Sequence, residues 1–143
     1  MKLLILGPPS LTSEELINEA LSAHDLKPTL IVVGEESDFH KTIHRLFSSA
    51  TLTRLKKFKI DWKNCKRPGA VEKEGKYGKY NSKAGFHRDE DMIDFIKEED
   101  GVVLIIEQNS DTDSIKKMVV KAGIEPLLFN CMKSENKEVL YRL

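Results

Sequence analysis

From Gly78 to Met92 the chain reads Gly-Lys-Tyr-Asn-Ser-Lys-Ala-Gly-Phe-His-Arg-Asp-Glu-Asp-Met, a basic, glycine-containing run that meets the expected start of an amphipathic helix. A helix start offers unpaired backbone N–H groups and the positive end of the peptide dipoles, so anions gather there. Lys79, Lys83 and Arg88 are expected to form a cationic rim, with Lys79 and Arg88 on a phosphate. Gly85 would let the backbone approach closely, and Asp89 stands beside the arginine. His87 has two readings, a contact to a ligand oxygen or a surface histidine.

Other clusters bound the chemistry. Gly7-Pro8-Pro9-Ser10 occupies the turn where a dinucleotide fold keeps its first phosphate loop, yet neither Gly-x-Gly-x-x-Gly nor a Walker loop occurs. An ordinary dinucleotide dehydrogenase is therefore not expected, and no cofactor is called for. His40 and His44 stand one helical turn apart, a spacing open to a metal pair. No acid or cysteine stands at a matching spacing, so they read as flanking an amphipathic face, with no metal. Glu35, Glu36 and Asp38 crowd one turn, Asp111 and Asp113 another. Carboxylates at helix starts satisfy N–H groups and repel phosphate. They suit ribose hydroxyls or base amines better.

Between Lys63 and Arg88 stand eight basic residues and, before Asp89, two acids, Glu72 and Glu74, with Trp62, Tyr77, Tyr80 and Phe86 interspersed. Such a mixture stacks bases and pairs phosphates of single-stranded nucleic acid, or covers a mononucleotide. Its first half, Lys63–Lys76, reads as a solvated, mobile loop.

The 143 residues carry 23 basic and 23 acidic side chains, a net charge of zero that argues against a generic polyanion binder. Cys65 and Cys131 lie far apart, fit no metal spacing and read as thiols of a reducing cytosol. Met1–Gly7 is too short for a signal peptide, and no apolar run approaches membrane-spanning length. A cytoplasmic domain without membrane contact is the expectation.

Alternating patterns must position these groups. Lys2–Leu6, Thr29–Val33, Phe58–Ile60, Val102–Ile106 and Pro126–Phe129 read as strands. Helical stripes fall between them: Leu16, Ile17, Ala20 and Leu21 behind a Thr12–Glu15 capping box; Phe39, Ile43, Leu46, Phe47 and Ala50; Met92, Phe95 and Ile96; Ile115, Met118, Val119 and Ala122. Apolar strands alternating with helices imply a three-layer α/β/α Rossmann-like sandwich on a mainly parallel five-stranded sheet. One domain is expected over 1–143, with a basic loop at about 61–85 and a charged tail from about 131, on which Val139, Leu140 and Tyr141 could pack back. Ligands of such sheets bind beyond the carboxyl ends of the strands, here Gly7–Ser10, Gly34–Asp38, Asp61 onward and Glu107–Thr112.

Asp61-Trp62, Gly78-Lys79, Ala84-Gly85, Arg88, Met92, Thr112 and Ala122-Gly123-Ile124 follow in the order seen in the SLOG superfamily, and the chain resembles its YspA-like branch over roughly residues 1–130. Extra residues lie between Trp62 and Gly78, and three further departures stand out. Gly34-Glu-Glu-Ser-Asp38 keeps one glycine of the family's second-strand loop, Glu107–Thr112 keeps none of the fourth-strand loop, and Asp89 replaces an asparagine. The resemblance implies binding of a nucleotide or nucleotide-derived ligand. Gly7, Pro8, Ser10, Ser110 and Thr112 would line the crevice, with Gly34 at its edge and Glu35 or Asp38 holding a ribose. Related LOG enzymes cleave nucleotide N-glycosidic bonds, which makes a hydrolase the enzymatic alternative, with Glu35, Asp38 or Asp89 as its carboxylate. The missing glycine loop favours recognition over catalysis. A single-stranded nucleic-acid module is the third reading, and a homodimer is compatible with the fold.

Overall fold

The computed structural model describes residues 1–49, 52–108 and 110–131; the C-terminal residues expected to pack back, Val139, Leu140 and Tyr141, lie outside them, as does Ala50. Seven strands and four helices follow in the order β1 (Lys2–Leu6), α1 (Glu14–Ala23), β2 (Leu30–Gly34), α2 (Asp38–Phe47), β3 (Arg54–Phe58), β4 (Glu72–Gly75), β5 (Gly78–Asn81), α3 (Ala84–Glu98), β6 (Val102–Glu107), α4 (Asp113–Lys121) and β7 (Leu127–Asn130). Five of the strands form an all-parallel sheet ordered β3-β2-β1-β6-β7.

Alternation along the strands divides the core into two layers. Leu3, Ile5, Ile31, Val33, Leu104 and Ile106 pack with Ile17, Leu21, Phe39 and Ile43 of α1 and α2. Leu4, Leu6, Val32, Val103 and Ile105 pack with Met92, Ile93 and Ile96 of α3 and Val119 of α4. Each side of the sheet thus carries two helices, the expected three-layer α/β arrangement. Chain direction reverses its order between β1 and β6, and a crevice opens beyond their carboxyl ends.

Three expectations are corrected. The third strand runs over Arg54–Phe58, not Phe58–Ile60, because Leu30–Gly34 supplies a parallel partner for that whole stretch, from Leu30 opposite Arg54 to Gly34 opposite Phe58. As an edge strand it tolerates the exposed Lys56 and Lys57 that masked its pattern. The cap of α1 is Ser13, whose hydroxyl accepts the Leu16 N–H, so Thr12 and Glu15 do not form the box. A reciprocal box occurs instead at α2, between Ser37 and His40. Finally, the 61–85 stretch contains the antiparallel β4–β5 hairpin. Its Lys63–Lys76 half is tied down: Arg67 makes two 2.9 Å bonds to the Asp91 carboxylate, and Val71 O accepts the Ser82 N–H at 2.8 Å.

Candidate functional site

At the switch point a cleft of about 510 Å³ is walled by the β1 turn, the α2 start, the first turns of α3 and the α4 start. Leu6, Ile60, Phe86, Ile115 and Met118 make its apolar surface; Glu36, Ser37, His40, Arg88, Asp89, Asp111, Thr112 and Ser114 supply the polar one. Apolar walls with convergent polar groups, in a volume of this size, suit a small molecule.

Arg88 organises the cleft. Emerging from the first turns of α3 and only 9% exposed, it donates through Nη1 to the Glu36 carboxylate and through Nε to Asp89 Oδ1 at 2.8 Å. It crosses the end of β2 there, and a Cβ at position 34 would overlap both its Nη1 and the His40 ring. Gly34 is therefore a close-approach glycine. The space it leaves is taken by the arginine, and its carbonyl accepts from His44 Nε2 at 2.9 Å. Gly7 plays a similar part, since a Cβ there would press into the Phe39 ring.

The two carboxylates that share Arg88 respond differently. Burial pushes Glu36 up, but the Ile60 N–H, the Arg88 bond and charge, and the Glu35 N–H outweigh it, leaving the group below its ordinary value. For Asp89 burial wins against the pull of Arg88, and the Glu36 charge adds to it, so this carboxyl is raised. Burial pushes the His40 imidazole down to about 4; Arg88 and His44 act the same way and Glu36 opposes them. Its Nδ1 accepts the Ser37 N–H at 3.3 Å.

Thr112 is the second notable group. It occupies the N-cap position of α4 without making a side-chain cap bond, it is 2% exposed, and its Oγ1 has no hydrogen-bond partner among the described residues. A buried hydroxyl without a partner costs about 1–3 kcal/mol, and this one lines the cleft at the start of α4, where the positive end of the helix dipole lies.

Of the residues singled out in the sequence, Gly7, Arg88, Asp89 and Thr112 come together around this cleft. Pro8 is buried behind the turn and accepts the Leu11 N–H, leaving Pro9 on the cleft wall. Ser10, Glu35, Asp38 and Ser110 are not among its lining residues; Asp38 instead takes the Thr42 hydroxyl on its backbone carbonyl. Lys79 lies on exposed β5 and Lys83 at the α3 N-cap, both solvent-facing and away from the cleft wall, so the expected cationic rim is not assembled. Arg88 reaches the cleft as a charge already matched by two carboxylates. Gly85 does not need to be glycine for space, because a Cβ would meet only Ile60 Cδ1 at 3.7 Å.

His87 is neither a surface residue nor part of this cleft. It is 5% exposed, and Asn81 Nδ2 lies 3.0 Å from its Nδ1. Asn81 Oδ1 accepts the Val71 and Lys83 N–H groups, which orients the amide so that Nδ2 donates. His87 Nδ1 therefore accepts, and its ring proton sits on Nε2. Glu36, Phe86 and Asp111, also singled out in the sequence, stand on the wall as well, whereas Ser37 and His40 were missed as wall residues. The Ser37-x-x-His40 spacing of a capping box was the available signal for both. Comparison with known proteins brings no match: no family model, no curated protein and no solved structure matches this chain.

Proposed function

We propose that this protein binds a small nucleotide-derived ligand in the crevice between β1 and β6. The observation that carries this reading is the Thr112 hydroxyl, buried, unpartnered and placed at the uncapped start of α4 on the cleft wall. A ligand oxygen seated there would satisfy the hydroxyl and meet the positive end of the α4 dipole. The rest of the wall narrows the choice of ligand. Phe86, Ile115 and Met118 offer a flat apolar surface for a base, and Glu36 and Asp89 are acceptors for sugar hydroxyls. With Asp111 also on the wall and Arg88 already paired, the cleft disfavours several phosphates. A nucleoside or its monophosphate is the expected class, and the order of motifs shared with the SLOG superfamily points the same way.

Calorimetric titration of the purified protein with adenosine, guanosine, their monophosphates and their triphosphates tests the reading. Nucleosides or monophosphates should bind more tightly than triphosphates, and Thr112→Val should weaken the best of them about tenfold, the effect of about 1.4 kcal/mol for one lost hydrogen bond. Absence of binding by the whole panel at millimolar concentration, or an unchanged affinity in Thr112→Val, would sink it.

One observation favours a second reading, hydrolysis of an N-glycosidic bond. Asp89 and Glu36 share the cleft with their carboxyls pushed in opposite directions, the pattern of an acid and a base prepared for different roles. Release of free base from the monophosphate panel, lost in Asp89→Asn, is the expected result. A base yield no higher than that of heat-inactivated protein rejects it.

A further inference from the structure

We infer that the outer face of the β4–β5 hairpin is a docking surface for single-stranded nucleic acid, separate from the crevice. Strand alternation sorts the charges of this hairpin. Glu72 pairs with Asn81 and Glu74 with Lys79 on one face, and Asn81 turns that face toward the body through its bond to His87. Lys73 pairs with Tyr80 on the opposite face, so both hairpin acids are removed from it.

On that outer face the aromatics gather. Trp62 meets Tyr80 edge to face, ring centroids 6.3 Å apart, and Tyr77 at the turn is 84% exposed. Gly75 leaves room for the Tyr80 ring, since a Cβ there would lie 3.1 Å from its Cε1. Together with Lys63 and Lys76 these residues enclose a groove of about 440 Å³. Lys63 Nζ donates to Tyr77 O at 3.2 Å, and Lys76 Nζ stands 5.6 Å from the Tyr77 ring centre. Neither these two lysines nor Lys73 forms an ion pair among the described residues.

Exposed rings flanked by ammonium groups that no carboxylate matches supply both halves of strand recognition. Bases stack on the rings while the phosphates run past the lysines. An acidic peptide would use the lysines alone and leave the ring faces unused. A duplex hides its bases and cannot stack.

Trp62 is the chain's one tryptophan, which makes it a built-in reporter of the groove. Full-length protein is titrated with unstructured DNA and RNA oligonucleotides of four to sixteen nucleotides, reading Trp62 fluorescence, and in parallel the anisotropy of a labelled strand. Expected are quenching, affinity that rises with length, and loss of affinity with salt at a slope of about −0.7 per phosphate engaged. Tyr77→Ala, at an exposed turn, should weaken binding about tenfold, as expected for one lost stacking platform, with circular dichroism unchanged. Thr112→Val should leave it untouched, which separates this surface from the crevice. The inference falls if strands fail to quench Trp62 at low salt. It falls equally if inorganic polyphosphate or an acidic peptide binds as well as the oligonucleotide, if mononucleotide reproduces the full signal, or if Tyr77→Ala binds strands like the parent protein.

Discussion

Gly34 and Arg88 are a matched pair: the guanidinium lies where a side chain at position 34 would be, and from there it reaches Glu36 and Asp89. One glycine at the end of β2 thus decides where Arg88 can sit. That contact leaves no room for a side chain at position 34.

Gly34→Ala should therefore displace both Arg88 and His40. Overpacking of this kind costs about 1–3 kcal/mol, measured as a lower urea midpoint with an unchanged slope. Gly85→Ala provides the contrast. Its new methyl meets only Ile60, and a helical alanine is favoured over glycine by about 1 kcal/mol, so stability should hold or rise. Equal losses in both variants would contradict the assignment.

Breaking the arginine bridge should be costly in a partner-dependent way. Arg88→Met leaves Glu36 and Asp89 facing each other, and the expected loss is about 3 kcal/mol, the lower end for a broken buried pair. Glu36, with its side chain 37% exposed, keeps part of its hydration. In a double-mutant cycle with Glu36→Gln the coupling should fall at about 1–3 kcal/mol. Strict additivity of the two changes would show that the bridge is not an energetic unit.

Acid sensitivity follows from His40. In the folded chain its imidazole stays neutral down to about 4, whereas an unperturbed ring takes its proton at 6.5. The unfolded state therefore binds the extra proton as pH falls, and stability drains away between pH 6.5 and 4, by up to about 3 kcal/mol. Glu36, lowered from 4.5, adds a loss that sets in as pH falls through 4.5. Asp89 has the opposite sign, because its raised carboxyl takes a proton more readily when folded. His40→Gln, which preserves a side chain able to reach the Ser37 N–H, should flatten the melting temperature between pH 6.5 and 4. An unaltered slope would place the titration elsewhere.

Asn81 should hold the hairpin to the body. Asn81→Ala removes the acceptor of the Val71 and Lys83 N–H groups and the donor to His87; each buried group left unpaired costs about 1–3 kcal/mol. Hydrogen exchange should accelerate over residues 70–83 while β1 and β6 keep their protection. Uniform acceleration across the sheet would mean that the hairpin is not an independent unit.

Much of the architecture was legible along the chain. Lys2–Leu6 and Val102–Ile106 are continuous apolar runs because both sheet faces bury them, and the helical stripes on Phe39/Ile43 and Met92/Ile96 recur at the spacing their layers need. The edge strand Arg54–Phe58 was shifted because edge residues escape burial, and lysines there carry no period. The hairpin was hidden because its strands are four residues each and exposed almost throughout, so no burial pattern marks them.

The cleft divides the same way. Residue types and their place after each strand determined that Gly7, Arg88, Asp89 and Thr112 belong near the carboxyl ends of the sheet, since a parallel α/β chain delivers those turns to one edge. Charge partnership was beyond the sequence, because Glu36 and Arg88 are 52 residues apart and meet only when α3 packs under β2. Folding turned the cations of the Gly78–Met92 run to different fates: Arg88 was neutralised inside the cleft, while Lys79 and Lys83 stayed in solvent. Which cations are available to a ligand depends on what lies within a few ångströms of each, and that is a property of the packed chain.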